Sequence, residues 1–319
     1  MMCQIQAHGG NNMKVIIFHQ PFPMGNYKLN EIIGSYLSKE HEVYLLQQLN
    51  GAQPDGEYIN QIRNLNPDLI YFEMLDRETF KIVESLECEK ILLQASNGVL
   101  TNYEDIFDYY GKWYTKVLTN SKYMYDKFKN NNIQVEFFEY YFSVLSEKDL
   151  IHTQKYKHDC TFLGMGFHRM QSKSYENEKN IFFDGFTEID FKIYGNGWPN
   201  FNYYGGVLPP DDIGKLYSSS KSAFGIIGET QRVHGQINNR YTEMAFAEVP
   251  ILTINYETID WFGAEKYMNF ILSKQEAFET IKDIINNTEK YKEKSIKLKK
   301  FIVNKDKEFF QKLDNLIGV

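Results

Sequence analysis

The sequence predicts an α/β protein of two parallel-sheet domains with a helical tail, and three observations lead there. Short apolar, β-rich runs alternate with helical segments along most of the 319 residues. That alternation is the mark of strand–helix–strand units whose crossovers cover the faces of a parallel sheet. The pattern breaks at a charged and polar stretch, residues 146–157 (SEKDLIHTQKYK), and restarts with a new apolar run at 159–163. From residue 273 onward the chain is helical and charged, and the Lys-rich 290–307 reads as a solvated face.

In chain order, residues 1–12 (MMCQIQAHGGNN) are polar and Gly-rich and are expected to be a flexible lead-in. Strands are predicted at 13–18, 42–47, 68–73, 90–94, 116–119 and 135–140, with helices at 27–38 and 58–65. These make a first domain over 13–150. A second, over 151–302, takes strands at 159–163, 190–194, 222–227, 249–254 and 267–272. Its helices are predicted at 175–186, after the Pro209-Pro210-Asp211-Asp212 start signal, and around Arg240. Residues 303–319 form the closing helix. Ligands of such sheets sit beyond the carboxyl ends of the strands, so the loops there carry the candidate site.

Composition narrows the function. A hydrophobic content of 43% with 16% aromatic residues fills two cores, and the net charge of −7 weighs against a partner that is mainly nucleic acid or anionic lipid. Cys3, Cys88 and Cys160 are odd in number and far apart, with no metal-site spacing, which fits a reducing cytoplasm. No apolar run reaches 18 residues, so no transmembrane segment is expected.

The most informative stretch is Asn239-Arg240-Tyr241-Thr242-Glu243, a polar loop running into a helix start. Such an N-terminus presents unpaired N–H groups and partial positive charge, which suit a phosphate. Arg240 can grip a diphosphate with its fork of donors, and Glu243, one turn on, can accept from two vicinal hydroxyls. Phosphates beside a diol describe a nucleotide. The plainer alternative is a surface i,i+3 ion pair.

Other loops end neighbouring strands. Gly164-Met165-Gly166-Phe167-His168-Arg169 lets backbone approach a ligand and puts Arg169 within reach of a phosphate, or is only a tight turn. Tyr194-Gly195-Asn196-Gly197 is a strong turn signal that could pass close to a base or ribose. Backbone groups beside Leu208, in Tyr204-Gly205-Gly206-Val207-Leu208, could read a pyrimidine edge. Glu229 closes a buried run, and 230–239 reads as a polar loop holding Arg232 and His234. His234 is either a loop histidine of no consequence or a donor to a leaving diphosphate.

Taken in this order, these motifs resemble the donor-binding domain of GT-B glycosyltransferases, nearest to the CgeB-like (spore-maturation type) group and similar to bacteriophage DNA β-glucosyltransferases. The resemblance covers about residues 159–272 and includes Leu216-Tyr217-Ser218-Ser219-Ser220-Lys221. It implies two Rossmann-like domains facing across a cleft. It further implies a nucleotide-sugar donor, UDP-linked as the first expectation, with Arg169 and Arg240 on the diphosphate and Glu243 on the ribose. Backbone at Leu208 would meet the base, and Glu229 and His234 would face the sugar or leaving group. No divalent metal is called for, because arginines can replace the cation. Retaining members carry an acidic residue eight positions before the ribose-binding Glu; Gly235 stands there, which tilts the expectation toward inversion.

An inverting transfer needs a base in the first domain. The phage enzymes place an Asp after the fourth strand, where this chain has Ser96-Asn97-Gly98, so Glu73, Asp76 and His19 are the candidates. Each has a plain alternative: loop solvation or helix capping for the acids, packing for His19. The acceptor is expected to be a glycan, a surface polymer or a small molecule. DNA is the alternative, disfavoured by the acidic pI of about 5.6 but favoured if Lys122, Lys127 and Lys129 line a groove. A non-catalytic nucleotide-sugar-binding scaffold is the third possibility. Closure about a hinge near 146–157 is also expected.

Overall fold

The structure is a computed structural model and describes residues 2–5, 13–19, 27–47, 56–72, 77–84, 86–94, 114–166, 175–183 and 186–318. The chain divides into two compact units, Met1–Phe138 with Lys312–Val319, and Glu139–Gln311.

The first unit runs β1 (Met2–Ile5), β2 (Lys14–His19), α1 (Tyr27–Leu37), β3 (Glu42–Gln47), α2 (Gly56–Leu65), β4 (Leu69–Phe72), α3 (Arg77–Val83), β5 (Glu89–Gln94), β6 (Lys116–Thr119), α4 (Lys122–Asn130) and β7 (Gln134–Phe137). Among the described residues these strands make a seven-stranded sheet in the order β1-β3-β2-β4-β5-β6-β7. Val15, Ile16, Ile17 and Phe18 of β2 are all sealed from solvent, as expected of a strand covered on both faces. Phe18, Ile70 and Phe72 share a core with Met124 and Phe128 of α4. Ser121 starts that helix by accepting the Met124 N–H at 3.1 Å.

The lead-in expectation for residues 1–12 is corrected at Met2–Ile5. This segment pairs antiparallel with β3, Met2 opposite Leu46 and Ile5 opposite Val43. The edge of β3 would otherwise present a row of unpaired backbone groups, a template that any short extended segment can fill.

The second unit runs β8 (Cys160–Leu163), α5 (Tyr175–Glu178), β9 (Phe191–Tyr194), β10 (Tyr204–Gly206), α6 (Ile213–Ser219), β11 (Ala223–Gly225), α7 (Glu229–Val233), α8 (Asn239–Phe246), β12 (Ile251–Thr253), β13 (Asn269–Phe270), α9 (Lys274–Asn286) and α10 (Thr288–Ile317). Its parallel sheet, of six strands among the described residues, has the order β10-β9-β8-β11-β12-β13. The helix expected over 175–186 is α only to Glu178; Lys179–Phe183 continues as a π-helical turn with Ile181, Phe182 and Phe183 buried. β10 escaped prediction because its two glycines break any apolar run. α7 escaped because four of its five residues are polar and no apolar stripe marks it.

The units divide at 138/139, where the sequence suggested 150/151. Residues 146–157 belong to the second unit and are fastened within it. The Asp149 carboxylate takes the Ser146 N–H at 2.8 Å, and the Thr153 N–H reaches Ser219 Oγ at 2.8 Å. Gly214 lets α6 lie on this segment: a Cβ there would stand 2.4 Å from the Asp149 carbonyl oxygen. The stretch is polar because it is hydrogen-bonded to α6, so a hinge placed on it is not supported. The closing helix likewise begins at Thr288, well before 303, and its last turns belong to the first unit. There the Tyr36 hydroxyl donates to Asp314 at 2.6 Å, and Lys312 meets Glu136 at 3.3 Å.

Asp306 of α10 offers a stability test. Burial pushes its carboxyl up to about 7, and its Oδ1 has no hydrogen-bond partner among the described residues. With the folded value above the unfolded one, the folded chain binds the proton more tightly. The contribution is therefore complete below the ordinary carboxylate range and is lost as pH rises through about 7. Asp306→Asn is expected to raise the melting temperature at about pH 8 and to leave it nearly unchanged at about pH 4. Equal shifts at both values, in parallel thermal melts, would contradict the assignment.

Candidate nucleotide-sugar site

The carboxyl ends of β9, β8 and β10 are laced together by backbone. After β8, the Gly164 N–H donates to the Tyr194 carbonyl at 3.0 Å and the Gly166 N–H to the Asn196 carbonyl at 2.9 Å. After β9, the Gly195 N–H donates to the Gly206 carbonyl at 3.0 Å. Two side chains pin the arrangement: Trp198 Nε1 donates to the Gly164 carbonyl at 2.8 Å, and the Tyr204 hydroxyl to the Gly195 carbonyl at 2.9 Å. Glycine at 195 is required twice over. Its φ is +128°, and a Cβ would lie 2.0 Å from the Gly164 carbonyl oxygen. Three motifs that looked like separate turns are thus one hydrogen-bonded rim. Leu208 is buried in the same hydrophobic core as Tyr194 and Tyr217, so what it offers a ligand is its backbone.

The next strand along, β11, brings in α8. Gly225 permits close contact with Tyr241, whose ring would stand 2.7 Å from a Cβ at that position. The chain between β11 and α8 is held by a side-chain latch. Asn238 Nδ2 donates to the Ile226 carbonyl at 3.0 Å and to Gln231 Oε1 at 3.3 Å, and that same Oε1 takes the Gly228 N–H at 3.0 Å. Asn238 is the N-cap residue, yet its side chain makes no capping bond to α8.

Within α8, Arg240 Nη1 meets Glu243 Oε2 at 2.5 Å. Glu243 is 2% exposed, while the Arg240 side chain is 34% exposed, so the guanidinium lies over the carboxylate. This is the ion pair foreseen as the plain alternative, but its acidic half is buried, unlike a solvated surface pair. It uses one nitrogen of the five-donor fork and one oxygen of the carboxylate, so each partner keeps capacity for a ligand.

Glu229 begins α7 and, with Arg232, Val233 and residues 255–258, lines a shallow cleft of about 460 Å³. Arg232 is held at 3.0 Å by Glu178, which is fully buried, and lies over the Tyr256 ring. The sequence offered no sign of that pairing, because the two residues are 54 positions apart. His234 is buried, and burial pushes its imidazole down, favouring the neutral form. What it can offer is an N–H rather than a charge. Gly235 has φ +64°, a left-handed conformation that a Glu would adopt only with strain.

Gly164, Gly166, Gly195 and Asn196 therefore share one rim, with Leu208 two residues beyond its Gly206, and Arg240 and Glu243 sit on the helix that follows the adjacent strand, β11. Glu229 and His234 lie on the connection between β11 and α8. Arg169 falls outside the described residues, as do Glu73, Asp76 and the 96–98 segment. His19 ends β2 and is buried. Among the described residues, no three His, Cys, Asp or Glu side chains group as metal ligands, and no helix is long and apolar enough to cross a membrane.

Two Rossmann-like units with these topologies are the GT-B architecture, and solved structures agree. T4 phage BGT, a β-glucosyltransferase seen with UDP-glucose, superposes with a TM-score of 0.63 at 12% identity, covering 96% of this chain and 100% of that one. Anabaena HepE with UDP-glucose gives 0.57 at 12% identity, covering 96% and 100%. S. aureus MnaA with UDP gives 0.52 at 11% identity, covering 89% and 91%. Residues 178–302 match the model of a family described as glycosyl transferase-like. Comparison with curated proteins finds no match. In fold and in this segment, the chain is glycosyltransferase-like; nothing singles out the CgeB-like group.

Proposed function

We propose that the chain moves a sugar from a nucleoside-diphosphate sugar, UDP-linked by expectation, to an acceptor hydroxyl, with inversion at the anomeric carbon. The observation that carries this reading is the Arg240–Glu243 pair at the start of α8, the helix that follows β11, with the glycine rim formed at the ends of β11's neighbour β8 and of β9 and β10. The N-terminus of α8 and Arg240, with Arg169, take the diphosphate; Glu243 takes the ribose hydroxyls; backbone at Leu208 takes the base. Gly164, Gly166, Gly195 and Asn196 build the packed backbone rim against which the nucleotide lies, and Glu229 and His234 face the sugar or leaving group. Because Arg240 covers Glu243, donor binding exchanges partners: the guanidinium swings to the phosphates and uncovers the carboxylate for the diol. The same cation then opposes the charge that grows on the departing diphosphate, which lowers the barrier more than it aids binding. UDP as the nucleotide is supported by the fold's likeness to structures holding UDP or UDP-glucose. Inversion is supported by Gly235, whose backbone disfavours the second acid of a retaining site. The base in the first unit would be Glu73, Asp76 or His19.

A thermal-shift screen across UDP-, GDP-, TDP- and ADP-sugars is expected to show stabilisation by the UDP donors above the rest. No shift with any of them would remove the reading. Proton NMR of the first-formed product should show an inverted anomer; a retained one would overturn the use of Gly235.

DNA is the second acceptor reading. Lys122, Lys127 and Lys129 lie along α4, with Lys127 and Lys129 over the rings of Tyr123 and Tyr125. Duplex binding that weakens steeply with salt and is lost on charge reversal of these lysines would favour it.

A further inference from the structure

Beneath the rim lies a partly buried chain of polar groups that the donor reading does not use. Asp190 Oδ2 is 2.9 Å from His158 Nδ1, and His158 Nε2 is 2.9 Å from the Tyr194 hydroxyl. His158 and Tyr194 are 8% and 6% exposed, and the Asp190 side chain is half-exposed. With an ionised Asp190 accepting from Nδ1–H, Nε2 is left as the acceptor and the Tyr194 O–H donates to it. The tyrosine ring meets Tyr156 edge-to-face at 5.7 Å, and the Tyr156 hydroxyl donates to Asp212 at 2.6 Å. Directional bonds thus fix the ring at its far end and aromatic packing fixes its side.

The ring is a floor for the loop that would receive the base. Gly205 lies directly on it: a Cβ there would stand 2.4 Å from a ring carbon. The Gly206 carbonyl is bonded to the Gly195 N–H, and Leu208 follows two residues later. Any tilt of the ring must therefore move the 204–208 backbone, and with it the groups proposed to read the base.

We propose that His158 and Asp190 are positioning residues that, by orienting Tyr194, set the height of the 204–208 backbone for the base of the donor nucleotide. This rests on the donor-site reading above. The three groups do not form a nucleophilic triad: burial pushes the Tyr194 hydroxyl up to about 12, so it keeps its proton, and it is shielded from substrate.

The test compares a ligand that has a base with one that lacks it. Calorimetry with UDP and with pyrophosphate is run on the wild type, on Tyr194→Phe, which keeps the ring and removes only its tether, and on His158→Ala. Both variants are expected to lose about fivefold to tenfold in UDP affinity, the worth of one hydrogen bond. Pyrophosphate affinity should stay within about twofold of wild type. Equal losses for both ligands, or an unchanged UDP affinity, would overturn the proposal while leaving wild-type UDP binding intact. Absence of UDP binding by the wild type itself would overturn the donor-site reading, and this inference with it. Should His158→Ala fail to fold, Tyr194→Phe decides alone, because phenylalanine fills the same apolar volume.

Discussion

Arg240→Ala is expected to weaken UDP binding by about 1.5–3 kcal/mol, roughly ten- to hundredfold, because a charged donor to the diphosphate is lost. The substitution should also lower stability. It leaves the Glu243 carboxylate, 2% exposed, without the cation that covers it, and orphaning one half of a buried pair costs several kcal/mol. Since the Arg240 side chain is 34% exposed, water can partly replace it, and a loss of about 2 kcal/mol is the expected size. The two effects separate in the double variant Arg240→Ala/Glu243→Gln. Removing the charge should recover most of the stability, read by urea denaturation, and recover none of the affinity, read by calorimetry. Arg240→Lys should keep part of the stability but little of the affinity, as an ammonium cannot fork across two phosphates. An Arg240→Ala protein that binds UDP like the wild type would leave the pair as a structural ion pair only.

Gly195→Ala is expected to have the largest effect on folding of any single methyl added to the second unit. At φ +128° an L side chain is strained, and its Cβ would lie 2.0 Å from the Gly164 carbonyl oxygen, which also accepts from Trp198. Strain and overlap together should cost roughly 3 kcal/mol or more, with a fall in melting temperature of about 5–10 °C. Gly206→Ala is the control. Its φ is +92°, but open space surrounds the added atom, so only the backbone term of about 1–2 kcal/mol applies. Similar losses for the two would mean that the rim yields, and that contact between its loops does not depend on Gly195.

These two positions show what could be read from residues alone. The apolar runs at 42–47 and 116–119 are the observed strands because short, continuous hydrophobic segments leave few alternatives in a buried parallel sheet. The glycine motifs were legible for a similar reason: closely spaced glycines mark places where main chain must pass close to something. That the something was each other, Gly195 against Gly164 and Gly166 bonded to Asn196, depends on strand order. Strand order is a tertiary outcome. The same holds for Glu178 under Arg232 and for Asp190 behind His158, pairs that meet only once the sheet has formed. The domain boundary was misplaced for a different reason. Polarity at 146–157 suggested a linker, yet Asp149 and Thr153 spend their hydrogen bonds on the chain's own turn and on α6.

Hydrogen exchange of the wild type, with and without saturating UDP, tests the central claim most directly, because it locates the ligand without any substitution. Under the donor-site reading, UDP slows exchange at residues 164–166, 195–197, 205–208 and 238–243, the rim and the start of α8. Protection confined to the first unit, or none at these segments while UDP is demonstrably bound, would contradict it.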